Sequence, residues 1–345
     1  MKRLPEADLD AAIVLSEDCL RSLHGARLFL TGCTGFVGVW ILDTVLRARH
    51  RLGLDIDLTV LSRNPDLFLS RFPWFVNTAR LRFVRGDVSA FAHPEGDFSH
   101  VVHGATTAAH ETFGGAHPMC KFDTVADGTR RVLEFCREKG VQDMLFISSG
   151  AVYGKRPAEA GLIHEADLIA PDALDADSAL GEAKRVAELF CAIQSTTMDL
   201  RVRIARCFSF VGPLLPLDIH YAIGNFLADA IGGRAITLKG DGRPTRSYLY
   251  ASDLVAWLIT ILVNGTPLRA YNVGSEDGRT LLEIASIVGR LTGLPVLRPP
   301  SPAAGPATSA GDQYVPATIR ARKELELRQT VSLEDGVRKT LAYYR

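Results

Sequence analysis

Two apolar patterns alternate through the first 150 residues of this chain. Short unbroken runs have the length and β-branched or aromatic content of buried strands: Leu28-Phe29-Leu30-Thr31, Leu58-Thr59-Val60-Leu61, Leu81-Arg82-Phe83-Val84, His100 to Ala105, and Met144-Leu145-Phe146-Ile147. Between them apolar positions recur at helical spacing: Val37, Ile41, Leu42, Val45 and Leu46 over 36–49, then Val125, Val132, Leu133 and Phe135 over 119–139. The Phe/Pro/Trp-rich segment 66–78 reads as a short helix or loop. Regular strand–helix alternation predicts an α/β fold built on a doubly wound parallel sheet.

Leu9, Ile13, Leu15, Leu20 and Leu23 predict a helix before the first strand, so residues 1–25 are read as a helical extension that packs across the sheet unit or serves an oligomer. After residue 150 the pattern loosens. A loop over 154–177 leads to a helix over 178–195 and an alternating strand at Leu200-Val202-Ile204. Short helices and turns fill 212–250. Helices over 252–263 and 280–292, a strand over 269–273, an extended Pro/Ala/Gly/Ser-rich stretch from Pro295 to Pro316 and a helix over 333–343 complete the chain. The implied division is a main domain over 26–211 and a smaller α+β lobe over 212–345, with the chain crossing back between them.

The first strand runs into glycines at 32, 35 and 38, followed at once by a helical pattern. That layout is what a dinucleotide needs. One glycine permits the tight turn, the next lets backbone N–H groups approach a pyrophosphate, and the third lets the helix pack on the strand. The helix N-terminus adds unpaired donors and a partial positive charge. Residues Gly32, Arg63, Asp87, Ala105 and Ser149 all fall just beyond predicted strand ends, where ligands sit on such sheets.

Composition narrows the partners. With 39 basic and 39 acidic residues, bulk charge gives no argument for nucleic acid or an anionic membrane. The 6 cysteines have no C-x-x-C spacing, and the histidines His93, His110, His117, His164 and His220 have none that suits a metal, so reduced buried thiols and no metal are expected. His103 reads as a satisfied core histidine. Acidic residues stand where a signal peptide would be apolar, and no run reaches the roughly 20 apolar residues of a membrane helix. A cytoplasmic protein is the expectation.

Seven stretches carry a family resemblance: Thr31 to Gly38, Gly86-Asp87-Val88, Asp127 to Phe135, Ser148 to Gly154, Gly212-Pro213, Arg246 to Leu254 and Tyr271 to Ser275. In this order they resemble the extended short-chain dehydrogenases/reductases of the nucleotide-sugar epimerase/dehydratase group, over about 26–340. The resemblance implies a Rossmann-like fold, a bound NAD or NADP, a nucleoside-diphosphate sugar as substrate and a homodimer through the helices near 119–139 and 178–195. It places Gly32, Thr34, Gly35, Phe36, Val37, Gly38, Ser62, Arg63, Asp87, Val88, Ala105 and Lys184 at the cofactor, and Tyr153, Ser209, Asn225 and Arg246 at the substrate.

In this group a tyrosine, a lysine four residues later and an upstream serine or threonine move the proton that accompanies hydride transfer. A nearby ammonium lowers the phenol pKa towards the working pH. Ser149 and Lys184 match the serine and lysine. The tyrosine position is Leu180, which can neither give nor take a proton. Three readings stay open: a natural change leaving a binding protein without ordinary redox chemistry, an engineered change in a normal enzyme, or another group, Tyr153, Tyr221 or His110, taking the proton.

Gly150-Ala151 replaces the Asp-Glu of the group's 4,6-dehydratases, which disfavours that reaction and leaves C4 epimerisation or 4-keto reduction. Ser209 stands where many relatives have asparagine, so diphosphate contact is expected from Asn225 and Arg246, the latter by its guanidinium fork. Ser62-Arg63, with no acid, ends the second strand and favours NADP over NAD.

Overall fold

A computed structural model describes residues 1–107, 117–156, 161–217, 221–298 and 312–345. Seven strands form one parallel sheet: β1 (Arg27–Thr31), β2 (Asp57–Ser62), β3 (Leu81–Arg85), β4 (His100–His103), β5 (Asp143–Ser149), β6 (Arg201–Cys207) and β7 (Ala270–Val273). Their spatial order is β7-β6-β5-β4-β1-β2-β3. Successive residues of a strand point to opposite faces, and both faces are buried. Leu28, Leu30, Leu145 and Ala205 therefore join one apolar cluster, whereas Phe29, Met144, Phe146 and Ile204 join the other.

Helices cover both faces. On one side lie α1 (Glu6–Leu15), α2 (Glu17–Ser22), α3 (Phe36–Leu52) and the later helix Ala251–Asn264. On the other, α4 (Pro65–Arg71) aside, α5 (Pro118–Lys139) packs along α6 (Ala179–Thr197). Among the described residues the elements follow the expected ones with ends moved by a few residues; most of the stretch Pro295 to Pro316 lies outside them. The segment after β2 resolves into α4, capped by Asn64 accepting from the Leu67 N–H at 3.1 Å, and a short turn whose Phe75 stacks on Phe68. Strand β4 ends at His103, beyond which the Gly104 N–H still donates to the Thr31 carbonyl at 3.1 Å.

The N-terminal extension packs across the main unit, leaving its place in an oligomer untouched. Leu9, Ile13 and Leu20 enter the same cluster as Trp40 and Tyr250. Asp8, 3 % exposed, accepts from the Tyr250 hydroxyl at 2.7 Å and from Lys339, which ties residues far apart in sequence.

Beyond β6 come α7 (Ala222–Ile231), α8 (Ala251–Asn264), α9 (Leu281–Thr292), α10 (Ile319–Leu325) and α11 (Leu333–Tyr344), with two-residue strands between them. Among these, Thr245–Arg246 lies between Arg279–Thr280 and Gln313–Tyr314. The chain re-enters the main sheet here: α8 packs under β5 and β6, and β7 pairs with β6. Among the described residues no helix is long and apolar enough to cross a membrane.

Candidate active site

The glycine turn joins β1 to α3. Gly32 has φ +76°, and a Cβ there would lie 2.4 Å from the Gly104 carbonyl carbon. Gly38 lets α3 close on the turn, since its Cβ would stand 2.0 Å from the Cys33 Cα. Gly35 is different: a Cβ there meets nothing nearer than 3.8 Å. No side chain caps the N-terminus of α3 at Gly35, and Thr34 and Gly35 are exposed. The first N–H groups of the helix thus face open space beside a backbone without side chain, which suits a pyrophosphate.

Thr31 anchors this turn from below. Its hydroxyl lies 2.7 Å from His103 Nδ1, and His103 Nε2 lies 3.0 Å from the Thr129 hydroxyl. Thr129 donates to the Val125 carbonyl at 2.6 Å, so it accepts from Nε2, and Nδ1 accepts from Thr31. Burial, helped by the charge of Lys184, pulls the His103 pKa down to about 3. This is the satisfied core histidine expected from the sequence.

Around the turn, Phe36 and Val37 are half-buried. Ser62 closes the end of β2 by accepting from the Asn64 N–H at 3.2 Å, and Arg63 is exposed beyond it. Asp87 accepts from the Ser89 N–H at 3.0 Å and its hydroxyl at 2.6 Å. Burial pushes the Asp87 carboxyl up, but those bonds and the charge of Arg63 outweigh it and hold the pKa below its usual value. Val88 points inward on to α5, where a Cβ on Gly128 would approach it to 2.8 Å. Ala105 is buried, its N–H 3.3 Å from the Thr31 hydroxyl.

The sheet's carboxyl end continues at β5. Lys184 is 5 % exposed and donates to the Ile147 carbonyl at 2.7 Å, with its ammonium 4.8 Å from the centre of the Phe146 ring. Desolvation pulls its pKa down to about 8, partly offset by Glu188 and neighbouring thiols. Ser149, two residues beyond Ile147, accepts from the Ala151 N–H at 3.1 Å. One helical turn before Lys184, Leu180 packs half-buried against the α5–α6 side of the core.

The groups expected as alternative proton carriers separate. Tyr153 is 1 % exposed, donates to Asn272 Oδ1 at 2.8 Å and accepts from Arg206 at 2.8 Å. Burial, against the pull of Arg206, pushes its pKa to about 12. Arg206 is held in turn by both oxygens of Glu188, which also accepts from Ser148 at 2.6 Å. Tyr153, expected at the substrate, is instead part of an interior scaffold: it lies in the turn after β5 on the side facing β6 and β7. Tyr221 is exposed at the start of α7, and His110 lies outside the described residues.

Of the other substrate-side residues, Ser209 and Asn225 are half-buried, the latter early in α7. Arg246 donates to the Thr245 and Asp312 carbonyls, both at 2.9 Å, and to the Asp312 carboxylate at 2.8 Å. The structure also brings in a residue that sequence pattern did not single out. Tyr314, paired with Arg246 in the short three-stranded ladder, packs its ring 4.7 Å from Phe208 and points its hydroxyl at Gly150.

Comparison with known proteins agrees with this architecture. A family model described as the NAD dependent epimerase/dehydratase family matches residues 28–274. UDP-glucuronic acid decarboxylase 1 of Danio rerio is 26 % identical over 322 residues, covering 92 % of this chain and 72 % of its own length. UDP-glucuronic acid 4-epimerase from Bacillus cereus, solved with UDP-glucuronic acid and NAD, superposes with a TM-score of 0.75 at 20 % identity, over 92 % of this chain and 98 % of that one. UDP-glucose 4-epimerase from Thermotoga maritima, solved with UDP-glucose, gives 0.74 at 21 %, over 92 % and 98 %. At such identities the structural likeness speaks for the fold.

Proposed function

The chain belongs to the NAD dependent epimerase/dehydratase family, and on that premise we propose that it is an NAD(P)-dependent enzyme acting on a hexose carried by a nucleoside diphosphate, with hydride exchanged at C4 in epimerisation or 4-keto reduction. The observation that carries this reading is the alignment of an open glycine turn with Ser149 and Lys184 along one end of one parallel sheet. Gly35 leaves the cradle that a pyrophosphate needs, so the residues present fit a dinucleotide.

Each residue then has a role. The turn from Gly32 to Gly38 would hold the pyrophosphate, and Asp87 would border the adenosine. Arg63, at a β2 end that lacks an acid, favours a 2′-phosphate and hence NADP. When bound, the dinucleotide supplies a hydride acceptor or donor. Lys184, with its pKa pulled to about 8, stays mostly charged at neutral pH and presents donors to a ribose hydroxyl. Ser149 orients the reacting sugar oxygen, while Arg246 and Asn225 receive the diphosphate. The exposed Leu189 and Ile193 of α6, 57 % and 52 % accessible, support a homodimer formed through α5 and α6.

Leu180 favours a second reading, a nucleotide-sugar-binding protein without redox turnover. The two are separated by incubating the protein with UDP-glucose or UDP-glucuronic acid and NAD(P)(H), then repeating with Leu180→Tyr. Turnover by the native chain upholds the enzyme. Turnover confined to Leu180→Tyr upholds the binder. Absence of both binding and turnover overturns the two together.

A further inference from the structure

The site lacks a phenol on α6 but contains one from elsewhere. Tyr314 reaches the end of β5 from the ladder near the C-terminus, by its register pairing with Arg246. Its hydroxyl lies where the side chain of residue 150 would begin: a Cβ built on Gly150 would be 2.6 Å from it. Gly150 directly follows Ser149, and the absence of a side chain there is what admits the hydroxyl. The ring is fixed by Phe208 on one side, and the Arg246 guanidinium carbon stands 5.9 Å from its centre.

From this placement the geometry points to Tyr314 as the group that exchanges the proton at the substrate oxygen held by Ser149, in place of the phenol missing at 180. The inference rests on the nucleotide-sugar reading above. Burial keeps the Tyr314 phenol in its neutral form, with the hydroxyl of Ser149 and the charge of Arg246 working partly against it. The neutral form is a proton donor, which suits reduction of a 4-keto sugar. In that step the carbonyl carbon gains hydride from a reduced nicotinamide dinucleotide, which leaves oxidised. The π electrons pass to the carbonyl oxygen, which takes the proton of Tyr314. The phenolate, beside Arg246, is reprotonated by water. The reverse sequence oxidises the alcohol.

The test compares the native chain with Tyr314→Phe, which removes only the oxygen, and Gly150→Ala, whose methyl competes for its place. Binding of UDP-glucose and UDP-glucuronic acid is measured by calorimetry, with UDP as control, alongside turnover. The expected result is a loss of roughly fivefold in UDP-sugar affinity for Tyr314→Phe with UDP affinity unchanged, as for one lost hydrogen bond to the sugar. Turnover should fall by about 100-fold or more, as for loss of a general acid. Native turnover that survives in Tyr314→Phe overturns the inference and leaves the proposed function intact. If the native chain does not turn over, proton exchange by Tyr314 is overturned, and the choice between enzyme and binder passes to Leu180→Tyr; equal UDP-sugar affinities then show that the phenol does not meet the sugar. A parallel loss of UDP affinity would mark a structural role and also overturn the inference.

Discussion

The two ends of the candidate site are built by different means. At the glycine turn, the constraints are imposed by backbone on backbone: Gly38 faces the Cys33 Cα within the turn, and Gly32 faces the Gly104 carbonyl at the end of the neighbouring strand. At the sugar end, Gly150 faces the tips of two side chains, the Tyr314 hydroxyl and, at 2.9 Å, Phe208 Cε1. The first arrangement is rigid, and a change there has nowhere to go. The second is assembled from β5, β6 and a strand near the C-terminus, and its parts are able to shift. The proposed cofactor cradle therefore tolerates less change than the proposed sugar end.

Substitution of glycines breaks this comparison most directly. Gly38→Val should cost about 4 kcal/mol or more, because overpacking meets main chain that cannot yield. Gly150→Ala should cost about 1 kcal/mol, since the tips of side chains are displaced more easily than main chain. Gly35→Ala, with open space around it, should leave stability within about 0.5 kcal/mol of native and still weaken NAD(P) binding. Denaturant unfolding and calorimetric titration of NADP check all three. Equal destabilisation by Gly38→Val and Gly150→Ala would remove the distinction.

The same contrast explains what could be read from sequence. The turn, the strand ends and His103 were legible because strand, glycine spacing and following helix are neighbours in the chain. The motif context of Ser149 and Lys184 led to the expectation that both border the pocket, and the structure places both at the carboxyl end of β5. For Tyr153 the motif around Ser148 to Gly154 does not say which way the tyrosine turns; the buried Arg206–Glu188 pair holds it inward. Tyr314 had no local signal. It follows a Pro/Ala/Gly/Ser-rich stretch and belongs to a two-residue strand whose meaning comes from Arg246, far away in sequence. The paired departures, leucine at 180 and glycine at 150, were the available hint that another side chain fills the space.

Acid and alkali sharpen the comparison on a second scale, since each end carries one buried basic group. The His103 pKa is about 3 in the fold against an ordinary value of 6.5, so the unfolded chain binds more protons between those pH values. Stability from this group therefore rises with pH across that window and is complete above it, by roughly 5 kcal/mol. For Lys184, about 8 in the fold against 10.5, the rise falls at alkaline pH instead and is about 3 kcal/mol. Urea unfolding across pH should show the acid-side slope flattened in His103→Gln and the alkaline contribution removed in Lys184→Met. Identical pH profiles for native and variant chains would contradict the burial that sets each pKa.

The smallest expected effect concerns the outer edge of the cofactor end, where packing no longer decides. Arg63 is exposed past β2, and its charge helps to hold Asp87 ionised. A 2′-phosphate would approach between an attractive guanidinium and a repulsive carboxylate, so its net gain is modest, about tenfold in affinity or 1.4 kcal/mol. Arg63→Ala should therefore weaken NADP by about that factor while NAD changes less than twofold. High salt should reduce the difference, because the contact is solvent-exposed. Calorimetry with both dinucleotides at low and high ionic strength checks this. An equal loss for NAD and NADP would mean that Arg63 acts on the adenosine they share, and the turn would then select for a dinucleotide without choosing between the two.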